Sequence, residues 1–215
     1  MSFLSRATIV LAVFALSLGA APTASAQEPG SIPVPLADFS GGYVFLYDTT
    51  NIGPAKDGIE FPAGWYFSAA VNPTTWFGIV GEVSGSYRNN LEVSYFDFRT
   101  SNDARVHTFM IGTRFFRKVG RVVPYAQILT GAAHMRAKIR FPGEVPGLGL
   151  VNDISSSATD FALQPGGGVT VYLTERVGVR FAGDYRSIID FTEDENDYTN
   201  EFRMIAGFTL QWGGR

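Results

Sequence analysis

Five charged residues sit in the middle of alternating segments: Glu82, Arg114, Arg180, Asp184 and Arg203, each followed by a large apolar neighbour (Val83, Phe115, Phe181, Tyr185 and Met204). Successive side chains of an extended segment point to opposite faces, so each charge shares its segment with an apolar row facing the other way. The chemistry open to enclosed groups of both signs is ion pairing. A buried ion without a partner costs several kcal/mol, whereas opposite charges with further hydrogen bonds roughly offset their desolvation. Glu82, Asp184 and Arg203 fall at similar depth when counted from the short connections described below, with Arg114 and Arg180 nearer that end. A proton or ion path through the same groups is the functional alternative.

Other reactive chemistry is poorly supplied. The two histidines, His107 and His134, both lie near long connections, and the chain has no cysteine, so neither a zinc site nor a catalytic nucleophile with its base is expected. The run Asp190, Glu193, Asp194, Glu195 and Asp197 lacks the glycine and ligand spacing of a calcium loop and reads as a solvated tip. The expectation is a protein without catalytic residues, cofactor or metal.

The elements that must position the charges are strands. Alternating segments of ten residues or more fall near 38–48, 59–72, 75–87, 105–117, 122–136, 159–173, 176–187 and 199–212. Their connections alternate between tight (73–74, 118–121, 174–175) and long and polar (49–58, 88–104, 137–158, 188–198), the pattern of a barrel that crosses a membrane. One parity collects Phe77, Ile79, Val83, Tyr87, Phe109, Ile111, Phe115, Val177, Val179, Phe181, Tyr185, Phe202, Met204, Phe208, Leu210 and Trp212. The other carries the five charges with Ser84, Gln164, Thr170, Thr209 and Gln211, which assigns it to the lumen. Gln127 and Thr130 sit on opposite parities of the fifth segment, leaving its faces unassigned, and Pro165 predicts a bulge near 165–168.

Residues 1–26 read as a signal peptide: one positive charge, an apolar run from Ala7 to Ala21, and Ala24-Ser25-Ala26 before a cleavage point. Residues 27–36, with Pro29, Pro33 and Pro35, read as an extended periplasmic tail, and 37–213 as the barrel. With 24 Gly, 18 Phe, 9 Tyr and 17% charged residues, the composition suits close-packed strands meeting hydrocarbon and fits a helical bundle poorly. A net charge of −3 argues against nucleic acid as partner.

The stretches Pro124-Tyr125-Ala126-Gln127, Gly166-Gly167-Gly168-Val169 and 173–180 resemble the fifth to seventh strands of small eight-stranded outer-membrane barrels typified by the OmpA transmembrane domain, OmpX and opacity-type proteins. The resemblance spans 37–213. It implies an all-β, eight-stranded antiparallel up-and-down transmembrane barrel in the outer membrane of a Gram-negative-type bacterium. It also implies that Gly207, Leu210 and Trp212 match the terminal signal read by the barrel assembly machinery, although Ile205 stands where a polar residue is usual. Lipid A deacylases of similar size use a histidine with a serine two residues on, and Phe109 and Arg136 stand there instead. The implied protein is a non-enzymatic surface scaffold that meets membrane lipid and lipopolysaccharide and displays four loops to an unknown extracellular partner. The alternatives are a narrow gated channel and a soluble lipocalin-like carrier of an apolar ligand, the latter requiring charges on the outside.

Overall fold

Alternation of bulky apolar with polar or small residues produces strands, and their closure removes every edge that hydrocarbon would leave without hydrogen bonds. A computed structural model describes residues 34–49, 59–95, 98–140, 144–145, 149–150, 153–190 and 197–214. The expected leader and residues 27–33 of the expected tail lie outside them. Eight strands follow in order: β1 (Pro35–Asp48), β2 (Ile59–Phe61, resumed after Pro62 as Ala63–Val71), β3 (Phe77–Tyr95), β4 (Phe98–Phe116), β5 (Val122–Arg140), β6 (Ile154–Tyr172), β7 (Val177–Asp190) and β8 (Asp197–Gly214). Each pairs antiparallel with the next, and β8 pairs with β1 from Pro35↔Gly214 to Asp48↔Glu201, which closes the barrel. The first strand thus begins two residues before the expected boundary.

The stagger of the barrel can be read from partner to partner. Phe39 leads through Ala69, Gly81, Ile111, Thr130, Leu163, Ser187 and Asn200 to Thr49, whose N–H donates to the Asn200 carbonyl at 2.8 Å, ten residues further along the chain. Eight strands so tilted enclose a space that side chains alone can fill. The three tight turns have local causes. Thr74 Oγ1 accepts from the N–H groups of Trp76 and Phe77, and Thr174 Oγ1 does the same for Arg176 and Val177. Between Val119 and Val122 the chain reverses through Gly120 at φ 60°, the left-handed conformation that a two-residue hairpin turn demands.

Both faces follow the expected parity. Every member of the apolar row is exposed or half-exposed, Phe208 at 65% and Trp212 at 74%, while Glu82, Arg114, Gln164, Thr170, Arg180, Asp184, Arg203 and Thr209 are buried inside. The soluble-carrier alternative is overturned by this arrangement, because it needs the charges outside. In β5 the inward residues are Tyr125, Gln127, Leu129 and Ala133, which puts Thr130 on the outward parity and resolves the strand that the sequence left open. Ile205 also faces inward, against Val44, Leu46 and Tyr66, so packing in the lumen accounts for an apolar residue at that place.

Two expectations are corrected. Pro165 makes no bulge: β6 keeps one register against β7 from Asp184↔Gly166 to Ser187↔Leu163, and the ladder lapses only for the pairs between, where proline has no N–H to donate. The connection expected at 88–104 is mostly ladder. After a bulge between Arg88 and Leu91, β3 and β4 stay paired to Tyr95↔Phe98; β5 and β6 run on to Ile139↔Ile154, and β7 and β8 to Asp190↔Asp197. Beyond the membrane belt a ladder needs no apolar face, so the alternation that marks a half-buried strand is missing from stretches such as Ser155-Ser156-Ser157. A small hairpin, Glu144–Val145 with Gly149–Leu150, lies between β5 and β6.

Candidate functional site

Inward-facing charges from five strands form two clusters in the lumen. Nearer the tight turns, Asp38 on β1 receives Arg114 from β4 and Arg180 from β7, both on Oδ1 at 3.1 Å, with Asn72 donating to its other oxygen at 3.1 Å. The two guanidinium carbons stand 4.7 and 5.1 Å from the centre of the Tyr125 ring, whose π-face supplies further attraction for cations. Arg180 also donates to Thr170 and Ser68, and Arg114 to Gln127. A cavity of about 20 Å³ lies beside this cluster among Asp38, Asn72, Arg114, Lys118 and Arg180, room for about one water. In the adjoining turn, burial pushes the Lys118 ammonium down to about 8.

The second cluster is deeper. Arg203 reaches Glu82 at 2.9 Å and Asp184 at 3.5 Å, so one guanidinium from β8 ties β3 to β7 across the lumen. Arg186 pairs with Glu201 at 3.0 Å and donates to Thr108, which in turn bonds Ser84 at 2.7 Å. Gln164 joins the pairs: its amide nitrogen donates to Glu82 and Asp184, and its oxygen accepts from Arg186 Nε at 2.9 Å. Of the five charges singled out in the sequence, Glu82, Asp184 and Arg203 meet in this cluster and Arg114 and Arg180 meet in the first. Asp38, Arg186, Glu201 and Gln127 were missed. Asp38 and Arg186 share the inward parity of the charges around them, and that parity is the signal that could have found them.

The site depends on the absence of a side chain at Gly166. A Cβ built there would lie 1.8 Å from Asp184 Oδ1 and 3.0 Å from Asp184 Cα. Gly166→Ala should therefore push the carboxylate off Arg203 and lower stability by about 1–3 kcal/mol, the usual range for overpacking. A urea unfolding midpoint in lipid vesicles measures it, and an unchanged midpoint contradicts the close approach.

At the end of the barrel, Gly207 abuts the backbone of Gly41 while Leu210 and Trp212 point outward, 54% and 74% exposed. His107 and His134 are cross-strand partners on the outer wall. His107 stands edge-on to Tyr87, and His134 Nδ1 is 2.7 Å from Thr159 Oγ1.

The profile of the family described as outer membrane protein beta-barrel domain matches residues 8–209. The chain belongs to this family. No curated protein sequence matches it. Among solved structures it is similar to Ail, the attachment invasion locus protein of Yersinia pestis, at 16% identity and TM-score 0.56, with 82% of this chain and 97% of that one covered. Ail in complex with the heparin analogue sucrose octasulfate matches at 18% identity and TM-score 0.51, covering 81% and 97%. Neisserial surface protein A matches at 12% identity and TM-score 0.57, covering 82% and 97%. At these identities the likeness establishes the shared fold, and the family places the barrel in the outer membrane.

Proposed function

We propose that this barrel is a non-enzymatic surface protein whose four long connections face the cell exterior and carry recognition, while the ion-paired lumen serves as a rigid filling. The asymmetry of the two ends carries the reading. Three tight turns leave almost no surface at one end, whereas at the other the ladders continue past the apolar belt to Tyr95↔Phe98 and Ile139↔Ile154. Binding residues are disproportionately found on connections held by a rigid scaffold. The names of Ail and Neisserial surface protein A, and the heparin analogue bound by Ail, support the same direction. In this reading the leader 1–26 is removed on export, 27–34 is periplasmic, Gly207, Leu210 and Trp212 are read during assembly, and lipopolysaccharide surrounds the outer half. The partner of the hairpins is extracellular and unidentified.

Shortening 89–102 or 143–153 to a tight turn should leave insertion and heat-modifiable gel mobility intact and abolish surface binding, with sucrose octasulfate as the first ligand to measure. Failure of assembly makes the hairpins structural, and undiminished binding in both shortened forms puts recognition elsewhere.

A further inference from the structure

The outer wall of β2 to β5 carries two features that the lumen and the hairpin tips do not explain. The first is a pair of like charges. Arg105 and Arg136 are exposed and directly opposite each other across the β4–β5 ladder, and neither has an ion-pair partner among the described residues. Like charges at such positions repel unless an anion lies between them. One row nearer the membrane, His107 and His134 are opposite each other in the same way, with the Thr159 hydroxyl beside His134 and the Tyr87 ring beside His107. On the row beyond, Lys138 faces Asp103 and is held by Asp153 at 2.8 Å, so that row is locally neutralised.

The second feature is a groove in the apolar belt below. It is open to the outside and is lined by Phe67, Ala69, Gly81, Val83, Phe109 and Ile111. Its floor is Gly81 and Ala69, laterally paired and flanked by larger side chains, and a Cβ built on Gly81 meets nothing within 4 Å. Phe109 and Ile111 stand two and four residues beyond His107 on the same strand. At about 3.3 Å per residue, the groove starts within a headgroup's span of the paired cations.

We propose that this wall is a binding site for one phosphorylated lipid of the outer leaflet, its phosphate held between Arg105 and Arg136 with His107 and His134, and one acyl chain lying in the groove over Gly81. The inference rests on the orientation given above, with the hairpins outside. Charge complementarity selects an anionic headgroup, and continuity of the clamp with an apolar groove selects a lipid over a free anion. The bulky neighbours of Gly81 make the groove a seat for a chain rather than a flat stretch of wall.

The test uses the full barrel in phosphatidylcholine nanodiscs doped with bisphosphorylated lipid A or its dephosphorylated form, with retained lipid counted by native mass spectrometry. The protein should retain the phosphorylated form roughly 30-fold better, the effect expected of two basic side chains at an anionic surface. Arg105→Ala with Arg136→Ala should erase that preference. Gly81→Leu, which fills open space, should reduce retention of both forms while heat-modifiable mobility stays unchanged. Equal retention of the two forms by the unaltered protein, or a preference that survives the double substitution, overturns the proposal. So does loss of the lipid to millimolar inorganic phosphate, which would make the clamp a site for the free anion. The shortened 89–102 form keeps all these residues, so failure here leaves the hairpin experiment to stand or fall separately.

Discussion

Replacing Arg203 by methionine should destabilise the barrel by about 3–5 kcal/mol, because it removes the guanidinium with which both Glu82 and Asp184 form their ion pairs. The size follows from what remains behind. Both carboxylates are buried, Asp184 at 1% exposure and Glu82 at 4%, and what remains near them is neutral Gln164 and an Arg186 already paired with Glu201. Removing a carboxylate along with the arginine should therefore recover part of the loss. Glu82→Gln with Arg203→Met should cost less than the sum of the two single changes, and Asp184→Asn with Arg203→Met should behave alike. Urea midpoints in lipid vesicles, combined as double-mutant cycles, give the coupling directly. Strict additivity for every pair among the three residues would show that they do not act as a unit. The neighbouring pair Arg186 and Glu201 offers a contrast: replacing both by apolar residues of similar volume should come near neutrality, since a well-packed apolar pair often matches a buried ion pair.

What the sequence made legible was parity. A period of two puts Glu82, Arg180 and Arg203 on one face and Phe181, Met204 and Phe208 on the other whatever the exact strand ends, so the inside and outside of most strands could be read from residue types alone. Strand ends were less legible. Past the belt the ladder is held by backbone hydrogen bonds, and residues such as Ser155-Ser156-Ser157 leave no apolar rhythm to mark it. Position across the lumen was legible only in part: counting depth grouped Glu82 with Asp184 and Arg203, but nothing marked Asp38 as the partner of Arg114 and Arg180. Asp38 is 76 and 142 residues away from Arg114 and Arg180, and only the stagger of a closed barrel brings it between them. Pro165 misled for a related reason: a missing donor can be absorbed as a gap in one ladder while the other ladder of the same strand stays paired, as Ile128↔Pro165 does.

The outer face should be as intolerant of charge as the lumen is of its loss. Phe208 on β8 and Phe181 on β7 are 65% and 55% exposed, in a wall that continues through Met204, Leu210 and Phe109, and nothing in such a wall can solvate a guanidinium. The exposure that would be ordinary for a polar residue in water becomes, for these side chains, contact with hydrocarbon. Phe208→Arg or Phe181→Arg should then cost about 2–4 kcal/mol if the residue lies at the bilayer midplane, falling to about 0–1 kcal/mol near an interface. Depth can be varied on one strand: Trp212 stands four residues nearer the tight-turn end than Phe208, so Trp212→Arg should be milder than Phe208→Arg. Alanine at the same positions separates loss of the ring from arrival of the charge, because the ring leaves no buried cavity on an exposed face. The measurement is the urea midpoint of each variant refolded into phosphatidylcholine vesicles. A graded loss that grows toward the midplane fits a transmembrane wall. Unchanged midpoints for both Phe181→Arg and Phe208→Arg would instead mean that this face meets water, and that the apolar row serves some contact other than lipid.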